Sequence, residues 1–168
     1  IRVNVLSGVM ATDQGFIEGD AHALMRYRRE LGADVKILAD VLVKHAQPIG
    51  SPTMTSAVED VLHRGLADGV IVSGDATGRP PKLEDLALAK QAAGVAPVFI
   101  GSGASSENIS QLAGAADGVI VSSALKRKGD IENPVDPIRA RQFVTVMAQG
   151  LAQQAVPVTD GAHSLVAN

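Results

Sequence analysis

The sequence predicts a parallel α/β protein, and three observations carry that prediction. The string ADGVIVS occurs twice, at 67–73 and 116–122, and a third apolar run, PVFIGSG, lies between the copies at 97–103. Runs such as Val70-Ile71-Val72 are apolar on both faces, which suits a strand of a parallel sheet covered on both sides. Small residues follow each run and let the backbone turn and come close to a ligand. Units of this kind place their working edge beyond the C-terminal ends of the strands.

Five strand–helix units are readable in order. The first strand is 1–6, followed by a glycine-punctuated loop and a helix from about Gly19 to Leu31, stopped by Gly32. The second strand is 35–41. A loop through Pro48, Gly50 and Pro52 leads to a helix opened by Ser56, with Glu59 completing a capping box and Gly65 closing it. Strand three, 69–73, exits through Gly74–Gly78; Pro80-Pro81 then precede a helix with Leu83, Leu86 and Ala89 on one face, ended by Gly94. Strand four is 97–101, with a short helix beginning near Ser105 or Ser106, and strand five is 118–122. A longer loop, 123–135, reaches Asp136-Pro137, an N-cap followed by Pro at the first helical position. Phe143, Val144, Met147 and Leu151 then form one apolar helix face. This spacing fits a doubly wound open sheet, flavodoxin-like, or a segment of an eight-unit barrel, and periodicity does not choose between them.

Composition narrows the function classes. A net charge of −3 and four aromatic residues in 168 give no basic, base-stacking surface, so no nucleic-acid partner is expected. Cysteine is absent, which removes disulfide and thiolate chemistry and is compatible with a reducing, cytoplasmic location. No apolar stretch reaches the ~18 residues of a membrane span. The chain opens inside a strand, which is expected to have further barrel sequence before it.

Candidate site residues cluster at the strand exits. The fourth exit, Gly101-Ser102-Gly103-Ala104-Ser105-Ser106, offers glycines and hydroxyls directly before a helix, which is anion-binding chemistry suited to a phosphate. The fifth exit adds Ser122, Ser123 and the cation Lys126. Two ordinary tight turns are the competing account. At the second exit Asp40 is placed as general acid or base, and Lys44 and His45 to bind anionic substrate or transfer protons. Asn4 points into the mouth or satisfies backbone; Ser73, Asp75 and Thr77 supply ligand contacts or turn chemistry. Zinc-ligand spacing is absent, so no dedicated metal site is expected, although a magnesium ion carried with a phosphate fits Asp40 or Asp75.

Several strings together are familiar. Ile1–Gly8, Ala39–Ala46 (ADVLVKHA), Gly69–Gly78, Pro97–Asn108 (PVFIGSGASSEN) and Ala116–Asp136 resemble the BtpA/SgcQ family over about 150 residues, in order. The resemblance implies a phosphate-binding (βα)8 barrel of the TIM type, with this chain covering strands four to eight, residues 1–155, followed by a tail, 156–168. It implies functional positions at Asn4, Asp40, Lys44, His45, Thr77, Gly78, Gly101, Ser102, Gly103, Asn108, Ser123 and Lys126. Two residues depart from the family pattern: Leu42 stands where a polar residue is expected, and Ser122 where Gly is usual. One branch of the family is tied to photosystem I biogenesis, peripheral to the thylakoid membrane; others sit among sugar-metabolism genes and are described as nucleosidase-like.

The expectation is therefore a site holding a phosphorylated small molecule, a phosphosugar or nucleotide-like ligand. Gly101, Ser102, Gly103 and Ser123 hold the phosphate with Lys126, and Asp40, Lys44 and His45 face the reacting portion. The alternative is a non-catalytic assembly or stability factor. Unpaired outer strands predict either a homo-oligomer or a partner supplying the remaining barrel half.

Overall fold

The computed structural model describes residues 1–43, 45–74 and 78–154. Lys44, Asp75, Thr77 and the 156–168 tail lie outside the described residues. In chain order the elements are β1 (Arg2–Val3), β2 (Val9–Thr12), β3 (Gly15–Glu18), α1 (Ala21–Leu31), β4 (Leu38–Val41) and β5 (Gln47–Pro48). There follow α2 (Met54–Glu59), continuing as a wider π turn to Arg64, β6 (Gly69–Val72), α3 (Leu83–Ala93) and β7 (Val98–Ile100). Next come α4 (Ile109–Leu112), β8 (Gly118–Val119), two 3-10 turns over Ser123–Leu125 and Arg127–Gly129, and α5 (Pro137–Gln154).

Five strands form a parallel sheet in the order β1-β4-β6-β7-β8. That order follows the chain without reversal, which is the progression of a (βα) barrel; a doubly wound sheet reverses at a switch point. Among the described residues the sheet is open, with β1 paired only to β4 and β8 only to β7. Its two faces differ in chemistry because side chains alternate along a strand. Ala39, Val41, Val70, Val72, Val98 and Ile100 pack with the helices in the apolar core, together with Val58, Leu86 and Ile109. Arg2, Asp40, Ile71 and Phe99 occupy the alternate positions, on the inner face.

Several local expectations need correction. The 7–19 loop is a β-hairpin: β2 pairs antiparallel with β3 across a two-residue turn, and β5 adds a third strand. Helix α1 starts after Asp20, whose carboxylate accepts from Ala23 N–H at 3.0 Å. Gly19 is excluded from it because it crosses the backbone of Ser7, where a Cβ would lie 2.5 Å from Ser7 N. Helix α2 is capped by Thr53, not Ser56; Ser56 donates its N–H to Thr53 Oγ1 at 3.1 Å. On α3, Leu86 and Ala89 are fully buried, but Leu83 in the first turn is exposed. On α5, Val144 and Leu151 are exposed, and Phe143 packs on the core with Val146 and Met147 instead. The Asp136 cap is as expected, its carboxylate accepting from Ile138 N–H at 2.8 Å.

Candidate functional site

The exits of β7 and β8 meet at one rim. A cavity of about 400 Å³ is lined by Gly101, Ser102, Gly103 and Asn108 from the first exit and by Ser122, Ser123 and Ala124 from the second. Gly78 and Arg2 complete the residues of interest there. Helix α4 is only four residues long, so the loop before it is shaped by a side chain and not by a helix dipole. Asn108 Nδ2 donates to Gly103 C=O at 2.9 Å, and its Oδ1 accepts from Ser105 N–H at 2.9 Å. Both polar ends of Asn108 are thus engaged in bracing the loop.

The backbone of this loop is divided between structure and site. Gly101 N–H is committed to Val72 C=O at 2.8 Å. The hydrogen bonds of the loop leave the N–H groups of Ser102 and Gly103 unused among the described residues. Ser102 Oγ is buried and also has no partner among them. An unmet buried hydroxyl costs about 1–3 kcal/mol, so it calls for an explanation. Gly103, at φ +76°, is required for packing as well: a Cβ there would lie 2.2 Å from the Arg79–Pro80 backbone.

The remaining predicted residues separate. Asn4, Asp40 and His45 line a second cavity of about 510 Å³, with Ser73 and the β2–β3 turn. His45 is exposed and adopts φ +61°, and Leu42, three residues earlier, has φ +49°. Lys126 reaches neither cavity: its Nζ donates to Ile131 C=O within its own loop, which a bridge from Lys126 to Val135 closes.

Arg2, which the sequence reading passed over, lines both cavities. Its Nε and Nη2 donate to Asp40 Oδ2 and Oδ1 at 2.7 and 2.6 Å, a two-point pairing from β1 to β4. Nη1 makes a long contact of 3.4 Å with Gly101 C=O. The Asp40 side chain is 4 % exposed and that of Arg2 36 %, so the carboxylate is enclosed and the guanidinium has a free side. The bonds to Asp40 push the Arg2 pKa up, keeping it charged. With both oxygens held by Arg2, Asp40 in this arrangement is a fixed counter-charge, and no group of three His, Asp or Glu among the described residues gathers around a metal position. The only sequence signal for Arg2 is a long cation in a strand whose other polar residue is Asn4.

Among solved structures, the chain is similar to an archaeal fructose 1,6-bisphosphate aldolase, with a TM-score of 0.54 and 14 % identity over 90 % of this chain and 57 % of the aldolase. That likeness speaks for the barrel-type fold alone. By sequence, the chain is 66 % identical over 151 residues to the photosystem I biogenesis protein BtpA of Synechocystis, covering 90 % of this chain and 53 % of that one. It is 50 % identical over 156 residues to an uncharacterised protein of Thermococcus kodakarensis, covering 93 % and 58 %. An uncharacterised mitochondrial protein of Caenorhabditis elegans is 35 % identical over 134 residues, covering 79 % and 48 %. The chain spans about half the length of the relatives it matches. The model of the BtpA family matches residues 1–149, and the chain belongs to that family.

Proposed function

We propose that the rim cavity between the β7 and β8 exits binds the phosphate of a small molecule, a phosphosugar or nucleotide-like ligand. One observation carries this reading: Gly101–Gly103 and Ser122–Ala124 line a single cavity, and the N–H groups of Ser102 and Gly103 have no hydrogen-bond partner among the described residues. The amide hydrogens of Ser102 and Gly103 and the exposed hydroxyl of Ser123 are the donors, and Gly78 is a further wall. Arg2 supplies the charge that the sequence reading assigned to Lys126. Asp40 and His45 face the rest of the ligand; Lys44 and Thr77, outside the described residues, belong to the proposal on the sequence alone. Catalysis on that ligand at the second exit is part of the proposal.

Calorimetric titration with inorganic phosphate and ribose 5-phosphate tests it. Binding is expected, and Ser123→Asp, which puts a negative charge into the cavity at an exposed position, is expected to weaken it at least tenfold. Substitution of Gly103 is a poor probe because packing fails first. No heat with either compound, or an unchanged Kd in Ser123→Asp, overturns the reading.

Identity to the Synechocystis protein favours a second reading, a scaffold in photosystem I assembly. Relatives in an archaeon and a nematode, which make no photosystem, weigh against that as the family's common activity. Co-purification with thylakoid complexes, unaltered in Asp40→Ala and His45→Ala, would favour it. Among the described residues no helix is long and apolar enough to cross a membrane.

A further inference from the structure

We infer, resting on the phosphate reading above, that Ile131 seats a flat aromatic ring carried by the same ligand, which makes the ligand a ring-bearing phosphomonoester. At about 400 Å³ the rim cavity has the size of a small-molecule site, about 300–1,000 Å³, so a phosphate leaves room for the group attached to it. The lining changes in chemistry from one exit to the next. The β7 exit brings amides and hydroxyls, whereas β8 and the loop after it bring Ile120, Val121 and Ile131 as well as Ser122 and Ser123. Branched aliphatic side chains offer a phosphate no donor, and only an apolar partner relieves their hydration.

A single exposed isoleucine is ordinary on a protein surface. Ile131 is set apart because it is 54 % exposed on the wall of a cavity that also presents the Ser102 and Gly103 amides, unpaired among the described residues. Its main chain is held in place. The 126–135 loop is closed at its neck by the Lys126–Val135 bridge and by Arg127 N–H donating to Pro134 C=O at 3.1 Å. Inside the loop, Asn133 Nδ2 donates to Arg127 C=O at 3.1 Å and Lys126 Nζ donates to Ile131 C=O. Lys126 thus brings no charge to the cavity but fixes the backbone from which the Ile131 side chain stands out. A side chain set in advance on a braced loop loses little freedom when a ligand arrives.

Desolvation decides between a ring and a polyol. Sugar hydroxyls laid on Ile131 give up water with no hydrogen bond in return, while the face of an aromatic ring gives up none.

Calorimetric titration with inorganic phosphate, ribose 5-phosphate, phenyl phosphate and adenosine 5′-monophosphate tests this, in the parent chain and in Ile131→Ser. Phenyl phosphate carries its ring directly and the nucleotide carries it one sugar away, so the tighter of the two fixes where the ring lies. That ligand is expected to bind about tenfold tighter than inorganic phosphate, the effect of removing on the order of 50 Å² of apolar surface from water. Ile131→Ser is expected to take away most of that gain and to leave inorganic phosphate unchanged. The side chain is exposed, so the variant folds. Ile138→Ser, at a 74 % exposed isoleucine on α5 outside the cavity, is expected to change neither. The ring seat is overturned, and the rim site stands, if neither ring compound binds tighter than ribose 5-phosphate. Equal losses for phosphate and the ring compound in Ile131→Ser, no loss there, or the same loss in Ile138→Ser overturn it as well. Failure of every compound to bind overturns both.

Discussion

Residues 67–73 and 116–122 have the same sequence, yet the first copy forms the middle of the sheet and the second its edge. In the first, β6 runs four residues between β4 and β7, and Val70, Ile71 and Val72 are 0–1 % exposed. In the second, β8 runs two residues beside β7 alone among the described residues, and Val119, Ile120 and Val121 are only half-buried. One device survives the difference. Asp68 donates its N–H to Ile37 C=O at 2.8 Å and accepts from Ile37 N–H at 2.8 Å, while Arg28 of α1 pairs with its carboxylate. Asp117 does the same with Val98, at 2.8 and 2.7 Å, and pairs with Lys90 of α3. Strand entry is therefore set locally by the aspartate, and burial is set by how many neighbours the strand has.

The largest expected effect separates the equivalent isoleucines. Ile71→Ala should cost about 3–5 kcal/mol, because a fully enclosed side chain leaves a cavity, and Ile120→Ala about 1–2 kcal/mol, because it is already partly open to the rim. Urea unfolding of the two variants measures this. Equal losses would mean that the edge copy is buried by something on its outer side, and the comparison would need a partner at β8.

The same contrast explains what could be read from the chain. Apolar runs ending in Gly and Ser mark strands and their exits because both signals are local, and the five strands and the rim at 101–103 and 122–124 were legible for that reason. The hairpin was not, since β3 is exposed along its length and carries no core alternation. Arg2 was missed because its role depends on Asp40 on the neighbouring strand and Gly101 three strands away in the sheet, contacts that no spacing encodes. Lys126 was misplaced for the opposite reason: its neighbours suggested a phosphate, but the 126–135 loop closes on itself and takes the ammonium with it. Local chemistry is readable; which local pieces face each other is a property of the sheet.

A middle-sized effect tests whether the two aspartates are one device. Asp68→Asn and Asp117→Asn should each cost about 1–2 kcal/mol, since the amide keeps the shape but loses the cation and weakens the bond to backbone N–H. The Asp117 carboxyl is held below the ordinary aspartate value by its bond to Lys90 and then by Val98 N–H. A lowered folded-state pKa means that this stabilisation is complete above the unfolded value and fades as pH falls through the folded one. The stability gap between the parent chain and Asp117→Asn should accordingly be constant from neutral pH down to about 5 and close below about 4. Thermal melts across that range check it, and a gap that persists at the lowest pH would assign the effect to packing.

The smallest expected effect lies at the last residue of each copy. Ser73 keeps a buried hydroxyl without a hydrogen-bond partner among the described residues; Ser122 is exposed and open to water. Removing an unmet hydroxyl takes away a desolvation cost and no bond, so Ser73→Ala should be neutral or stabilising by up to about 1 kcal/mol, and Ser122→Ala should change stability by less than about 0.5 kcal/mol. A destabilised Ser73→Ala would show that the hydroxyl has a structural partner in the folded chain. A stabilised one means the fold tolerates a cost at the point where the Ser73 hydroxyl packs against Gly101.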